Sequence, residues 1–280
     1  MKYDTFTLKA TDQITLFGQC WQPENGTKAV VCLIHGLGEH CNRYPHLAKA
    51  FNNAGFAVFT GDLRGHGQSE GSRGYIPSYA QVMDDITTFM DAARARFPGL
   101  PVFLYGHSMG GNFVINYGLQ RKPAIKGLIA SGPALKTAEV PAPKKLIADL
   151  LNALAPSLSM DNGLELDALS HVPEVISKYQ QDPLVHKKIS ARLGVSLLKQ
   201  GEWAIEHAAE FPAAIPLLVM HGASDRICLP EGSKLFTAKV KGDVTLKLWE
   251  GSYHEIHNEA NQEEVFAYAI AWMEQRLKSA

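Results

Sequence analysis

At 280 residues, 46% of them hydrophobic and 20% charged, the chain can build a sizeable core and lacks the composition of a disordered or repetitive protein. Its 27 basic and 28 acidic residues nearly cancel and no Lys/Arg stripe stands out, which argues against nucleic acid as a partner. No apolar run reaches the roughly 18 residues of a membrane span, the N-terminus lacks a signal-peptide core, and Cys20, Cys32, Cys41 and Cys228 show no C-x-x-C spacing; the expectation is a cytoplasmic protein with reduced thiols and no zinc.

In chain order, residues 4–9 and 14–22 read as an antiparallel pair at one edge of a sheet. Residues 29–34 form an apolar strand leading into the turn His35-Gly36-Leu37-Gly38, and 44–54 carry helical periodicity. A strand over 57–60, a helix over 79–97, a strand over 102–105, a helix over 112–120 and a strand over 127–130 continue the alternation. Between 134 and 209 the pattern changes to mainly helical stretches broken by Pro141, Pro143, Pro156, Pro173 and Pro183, with no convincing buried strand. Strands over 217–220 and 244–248 then flank a helix over 232–239, and a helix over 261–278 ends the chain. Most strands are apolar throughout, the mark of burial on both faces. The expected architecture is α/β: a mostly parallel central sheet flanked by helices, built by 1–133 and 210–280. Residues 134–209 form a helical lid inserted over the carboxyl ends of the strands, where open α/β sheets bind ligands.

The most informative segment is Gly106-His107-Ser108-Met109-Gly110, between an apolar strand and a helix. It has the form of a nucleophile elbow, in which a serine sits on a strained strand-to-helix turn with its hydroxyl exposed above the sheet. A serine hydroxyl needs a general base, and the base needs an acid to hold its tautomer; on this kind of sheet the chain order is Ser, acid, His. Asp225, in the loop after strand 217–220, is the first choice of acid, over Glu231 and Asp243. His254, after the glycine turn that follows strand 244–248, is the first choice of base, over His257. The backbone N–H groups of Met109 and Leu37 are the candidate donors to a tetrahedral oxyanion. The remaining histidines have plainer readings: His107 packs the elbow, His66 belongs to a loop, and His171, His186 and His207 face solvent on the insertion.

Within the insertion, residues 144–158 place Leu146, Ile147, Leu150, Leu151, Leu154 and Leu158 on one helical face, with Lys144, Lys145, Asp149 and Asn152 elsewhere. Such a stripe usually packs on the core; the functional alternatives are to line an acyl tunnel or to touch a lipid surface.

Taken together, these motifs resemble the monoacylglycerol lipase and lysophospholipase family of α/β-hydrolases over nearly the whole length. The resemblance is carried by His35-Gly36-Leu37-Gly38-Glu39-His40 with Arg43-Tyr44, Gly65-His66-Gly67-Gln68-Ser69-Glu70-Gly71, the elbow, Tyr179 with Asp182-Pro183-Leu184, His221-Gly222-Ala223-Ser224-Asp225-Arg226-Ile227-Cys228 and Gly251-Ser252-Tyr253-His254-Glu255-Ile256-His257. It implies a Ser108–Asp225–His254 triad, oxyanion donors at Leu37 and Met109, and Glu39, Arg43, Tyr179 and His257 around the polar end of the pocket, where a glycerol head group would be held. Glu39 and Arg43 can equally form a local ion pair, and Tyr179 can pack the lid. Cys228 matches a family cysteine beside the acid, which implies either a target for thiol reagents or a buried inert thiol. Leu37 departs from the smaller residues familiar at its position.

The expected activity is hydrolysis of a single-chain lipid ester such as a monoacylglycerol through an acyl-Ser108 intermediate, with no cofactor or protein partner and with transient lipid-surface contact through the lid. Lysophospholipase or general esterase activity would use the same triad. A proline-type aminopeptidase would want a pair of lid acids to anchor an amine, a dehalogenase or epoxide hydrolase would place a carboxylate where Ser108 stands, and a non-catalytic receptor would not need all three triad residues.

Overall fold

The computed structural model describes residues 1–137 and 142–278; the predicted breaker Pro141 lies outside the described residues. Eight strands make the central sheet: β1 (Lys2–Lys9), β2 (Thr15–Gln22), β3 (Ala29–Ile34), β4 (Phe56–Gly61), β5 (Val102–His107), β6 (Gly127–Ser131), and then β9 (Leu217–Gly222) and β10 (Val244–Trp249). Their order is β1-β2-β4-β3-β5-β6-β9-β10. β1 runs antiparallel to β2 and β2 to β4, which is the predicted edge pair, and every other pairing is parallel.

The apolar runs explain this layout. β3, β4, β5, β6 and β9 are buried at every position, and successive side chains of a strand point to opposite faces. Val30, Cys32 and Ile34 of β3 therefore enter the layer under α2 (Tyr79–Arg96) and α3 (Met109–Arg121), while Val31 and Leu33 enter the layer under α1 (Pro45–Asn53) and α8 (Gln262–Lys278). Register then aligns the chemistry: Ile34 pairs with Gly106 and His107 with Ser131, so the turns after β3, β5 and β6 open at one sheet edge.

Between β6 and β9 lie α4 (Ala142–Leu154), β7 (Ser159–Asp161), α5 (Pro173–Gln181), β8 (Lys188–Ser190) and α6 (Ala191–Glu206). β7 and β8 pair antiparallel through three residues each. They are too short and too exposed to leave a periodic trace, and none was expected. α4 stops at Leu154, two residues before Pro156, because the position preceding a proline is pushed out of helical geometry.

The stripe on α4 does not pack on the core, contrary to its usual fate. Leu146, Ile147, Leu150 and Leu154 are 56–77% exposed. The polar face is the inward one: Lys145 pairs with Glu202 at 3.1 Å, Asp149 with Lys199 at 2.8 Å, and Asn152 accepts from Arg192 at 2.6 Å, all three partners lying on α6. Among the described residues no helix is long and apolar enough to cross a membrane.

Candidate active site

The elbow forms where β5 passes directly into α3. Ser108, between them, has φ 54° and ψ −116°, a conformation L-residues avoid at a cost of about 1–3 kcal/mol. The surroundings enforce it: Ser108 N–H donates to Ser131 O at 2.9 Å, and Ser108 O accepts from Asn112 N and Ala134 N at 3.0 Å each. The flanking glycines are steric necessities, since a Cβ on Gly106 would collide with Gly110 O and one on Gly110 with Ile34 O.

Ser108 Oγ lies 2.9 Å from His254 Nε2, and His254 Nδ1 lies 2.7 Å from Asp225 Oδ2. Asp225 is fixed in turn. Its Oδ1 accepts from Ile227 N at 2.8 Å and Cys228 N at 3.0 Å, and its Oδ2 from His221 Nε2 at 3.0 Å. His221 Nε2 also faces Cys228 O at 2.8 Å, so it carries the proton, and Ser233 Oγ donates to Nδ1 at 2.7 Å. Burial opposes the charge on Asp225, but His254 and the hydrogen bonds from His221 and His254 outweigh it and hold the carboxyl far below its ordinary range. Burial likewise opposes a charged His254, yet the Asp225 carboxylate raises its pKa above the ordinary value. Such a chain can draw a proton from the hydroxyl and stabilise the imidazolium that results.

The rival candidates are engaged elsewhere. Glu231 pairs with Lys234, and Asp243 with Arg276 at 2.7 Å. His257 is fully buried behind His107, their rings edge to face at 4.6 Å, and among the described residues neither of its ring nitrogens has a hydrogen-bond partner. Burial, and then the proximity of His254, lower the His107 pKa to about 4.

The turn after β3 is braced from two sides. His35 Nε2 accepts from Leu63 N at 2.9 Å, which leaves Nδ1–H to donate to Gly36 O at 2.7 Å. That carbonyl shares a peptide with the Leu37 N–H and so sets its direction. Gly36 N donates to Glu39 Oε1 at 2.6 Å, an oxygen that also accepts from Tyr44 OH at 2.6 Å. Arg43 bonds Glu39 Oε2 at 2.5 Å and forks onto Glu255 at 2.7 and 2.8 Å, while its guanidinium lies 4.8 Å from the Tyr179 ring centroid. Burial disfavours both carboxylates, but Arg43 overrides it and keeps both below their ordinary range. Glu255 was not singled out in advance; its adjacency to His254 was the one available signal.

A cavity of about 1200 Å³ opens beside Ser108. Leu37, Met109, Glu39 and Tyr179 line it, and the insertion supplies apolar walls such as Leu164, Val195 and Leu198. Met160 and Leu235, also on its wall, are 44% and 45% exposed. Arg43 and His257, expected at the polar end, stand one layer behind it, whereas Glu39 and Tyr179 reach the surface of the cavity. Cys228 also lines it, but burial and then the Asp225 charge push its thiol well above the ordinary range, which keeps it protonated. Of the histidines expected to face solvent, His171 does so, its side chain 49% exposed while stacking on Tyr253, whereas His186 and His207 are partly covered: His186 Nε2 bonds Gly65 O at 3.1 Å and His207 stacks on Trp203.

Fold and hydrogen-bond chain together define a serine hydrolase of α/β-hydrolase architecture. The chain belongs to the family described as serine aminopeptidase, S33, whose pattern matches residues 25–261. It is 37% identical over 260 residues to the monoacylglycerol lipase of Mycolicibacterium smegmatis, covering 92% of both chains, and 38% identical over 252 residues to a phospholipase of Bacillus subtilis, covering 89% of this chain and 96% of that one. It also spans 29% of the length of an uncharacterized abhydrolase domain-containing protein of Dictyostelium discoideum, at 38% identity over 279 residues. The crystal structure of the Paleococcus ferrophilus monoacylglycerol lipase superposes with a TM-score of 0.82 at 34% identity, covering 99% of this chain and 100% of that one.

Proposed function

We propose that the protein hydrolyses monoacylglycerols to fatty acid and glycerol, with Ser108, His254 and Asp225 as its triad. The observation that carries this reading is the bonded chain from Asp225 to Ser108 opening into a cavity with apolar walls and a small polar end at Glu39 and Tyr179. His254 takes the Ser108 proton as the hydroxyl attacks the ester carbonyl, returns it to the departing glycerol, and then activates the water that releases the fatty acid. The N–H groups of Leu37 and Met109 hold the oxyanion; among the described residues neither has another acceptor. Residues 134–209 act as the lid that walls the acyl channel. The outward apolar face of α4 makes transient contact with lipid surfaces. Four free, buried cysteines suit a reducing cytoplasm.

A lysophospholipid is the second reading, favoured by Lys136 on the cavity wall, a cation placed to meet a phosphate. The aminopeptidase reading is weaker despite the family's description. Glu202 and Glu206 of α6 do line the cavity, but Glu202 is 60% exposed and already paired with Lys145. The deciding experiment is fatty-acid release from monoacylglycerols, triacylglycerols, lysophospholipids and short p-nitrophenyl esters, with Ser108→Ala as control. Strong monoacylglycerol turnover, lost in the variant, is the expected result; turnover of lysophospholipids alone would move the head-group assignment, and no Ser108-dependent turnover would remove the reading.

A further inference from the structure

Two loops from distant parts of the chain must be held in register for the chemistry to work: the turn that presents Leu37 N–H and the loop that carries His254. Arg43 bonds both, through Glu39 on the first and through Glu255, 212 residues along the chain, on the second. All three groups are sheltered, with side-chain exposures of 3% for Glu39, 10% for Arg43 and 2% for Glu255. Sheltered ions are costly unless paired with good geometry, and here both fork nitrogens of Arg43 face the two Glu255 oxygens. Asn258 adds a bond to Glu255 Oε2 at 2.6 Å, and Glu255 N donates to Leu169 O at 2.8 Å, so the far end of the clasp is itself anchored.

We propose that Glu255 is a positioning residue for the oxyanion site: through Arg43 and Glu39 it holds the Gly36–Leu37 peptide at a fixed place relative to Ser108 and His254. It touches no reacting atom. The force path is short, running from the Glu255 carboxylate to the Arg43 fork, to Glu39, to Gly36 N–H, next to the peptide that bears the donor. Because an oxyanion donor works only where the charge develops, loosening this path affects the transition state more than bound substrate. The proposal rests on the triad reading above, and its failure is separable from the failure of that reading.

The test is Glu255→Gln, which keeps the shape and one acceptor but removes the charge that grips the fork. Rates are taken on a soluble short ester, on the alkaline plateau where a lost charge near His254 no longer matters, and are normalised to sites titrated with a fluorophosphonate. The expected result is a fall in kcat of about 10- to 100-fold with KM unchanged, and a matching weakening of a trifluoromethyl-ketone inhibitor, which forms the tetrahedral adduct. Arg43→Lys, which retains the charge but not the fork, is expected to do the same and serves if the first variant does not fold. A normal kcat per titrated site, even with a lowered Tm, would show Glu255 to be structural only and overturn the proposal. Loss of Ser108 labelling in the parent protein would instead overturn the triad.

Discussion

The sheet edge and the inserted helices solve opposite problems with the same residue types. At the sheet edge, polar groups are turned inward and bonded to one another: Asp225 takes four hydrogen bonds, and Arg43 sits between two buried glutamates. On α4 the arrangement is inverted, with lysine, aspartate and asparagine facing α6 and four large apolar side chains facing out. The first arrangement fixes the geometry of the groups that must react. The second leaves about half or more of each apolar side chain wet, which is unfavourable until something apolar covers it. Precision belongs to the sheet, and the proposed contact with the lipid phase to the insertion.

The largest expected effect lies on the sheet side. Asp225→Asn keeps the size of the side chain but allows the wrong His254 tautomer, so kcat should fall by about 10³- to 10⁴-fold with KM little changed. Steady-state kinetics check it, and a loss under ten-fold would mean that Asp225 is not the orienting acid. On the other side, Leu146→Gln, Ile147→Gln, Leu150→Gln and Leu154→Gln together should lower turnover of monoacylglycerol in phospholipid vesicles by about ten-fold while leaving a soluble ester within about two-fold. Equal losses on both substrates would break the division of labour.

A smaller, graded effect separates activity from stability as pH falls. As the proposed general base His254 must be neutral to act, and its pKa is raised, so kcat/KM should decline with falling pH through a limb above ~6.5. Stability follows the depressed groups. His35, His46, His66, His107, His186 and His257 are all pushed below their ordinary values, first by burial, His107 and His186 to about 4. An unfolded chain protonates them from ~6.5 downward and the folded one does not, so their contribution to stability is lost as pH falls through that window. His254 has the opposite sign, its contribution being present below ~6.5 and lost as pH rises through its higher folded pKa. With six groups against one, Tm should drop between about pH 6.5 and 4, and a constant Tm over that range would contradict the assignment.

The strands and the elbow were readable from sequence because their signal is local: five strands buried on both faces leave continuous apolar runs, and Ser108 needs glycines at fixed offsets. Asp225 and His254 were reachable because chain order and strand ends limit the choice. Glu255 was not, since its partner is 212 residues away and no periodicity records such a pairing. For α4, periodicity revealed an apolar face but not its direction, which is set by the ion pairs to α6. The strands β7 and β8, three residues each, are shorter than any window that could register them.

The carbonyl of Ser108 accepts from the N–H of Ala134, at the root of the insertion. Any chimera that exchanges this insertion for a relative's therefore has a preferred seam. A junction placed after Ala134 keeps the native donor and its backbone geometry, whereas one at Gly132 would leave the placement of that N–H, and with it the peptide of Ser108, to the incoming segment.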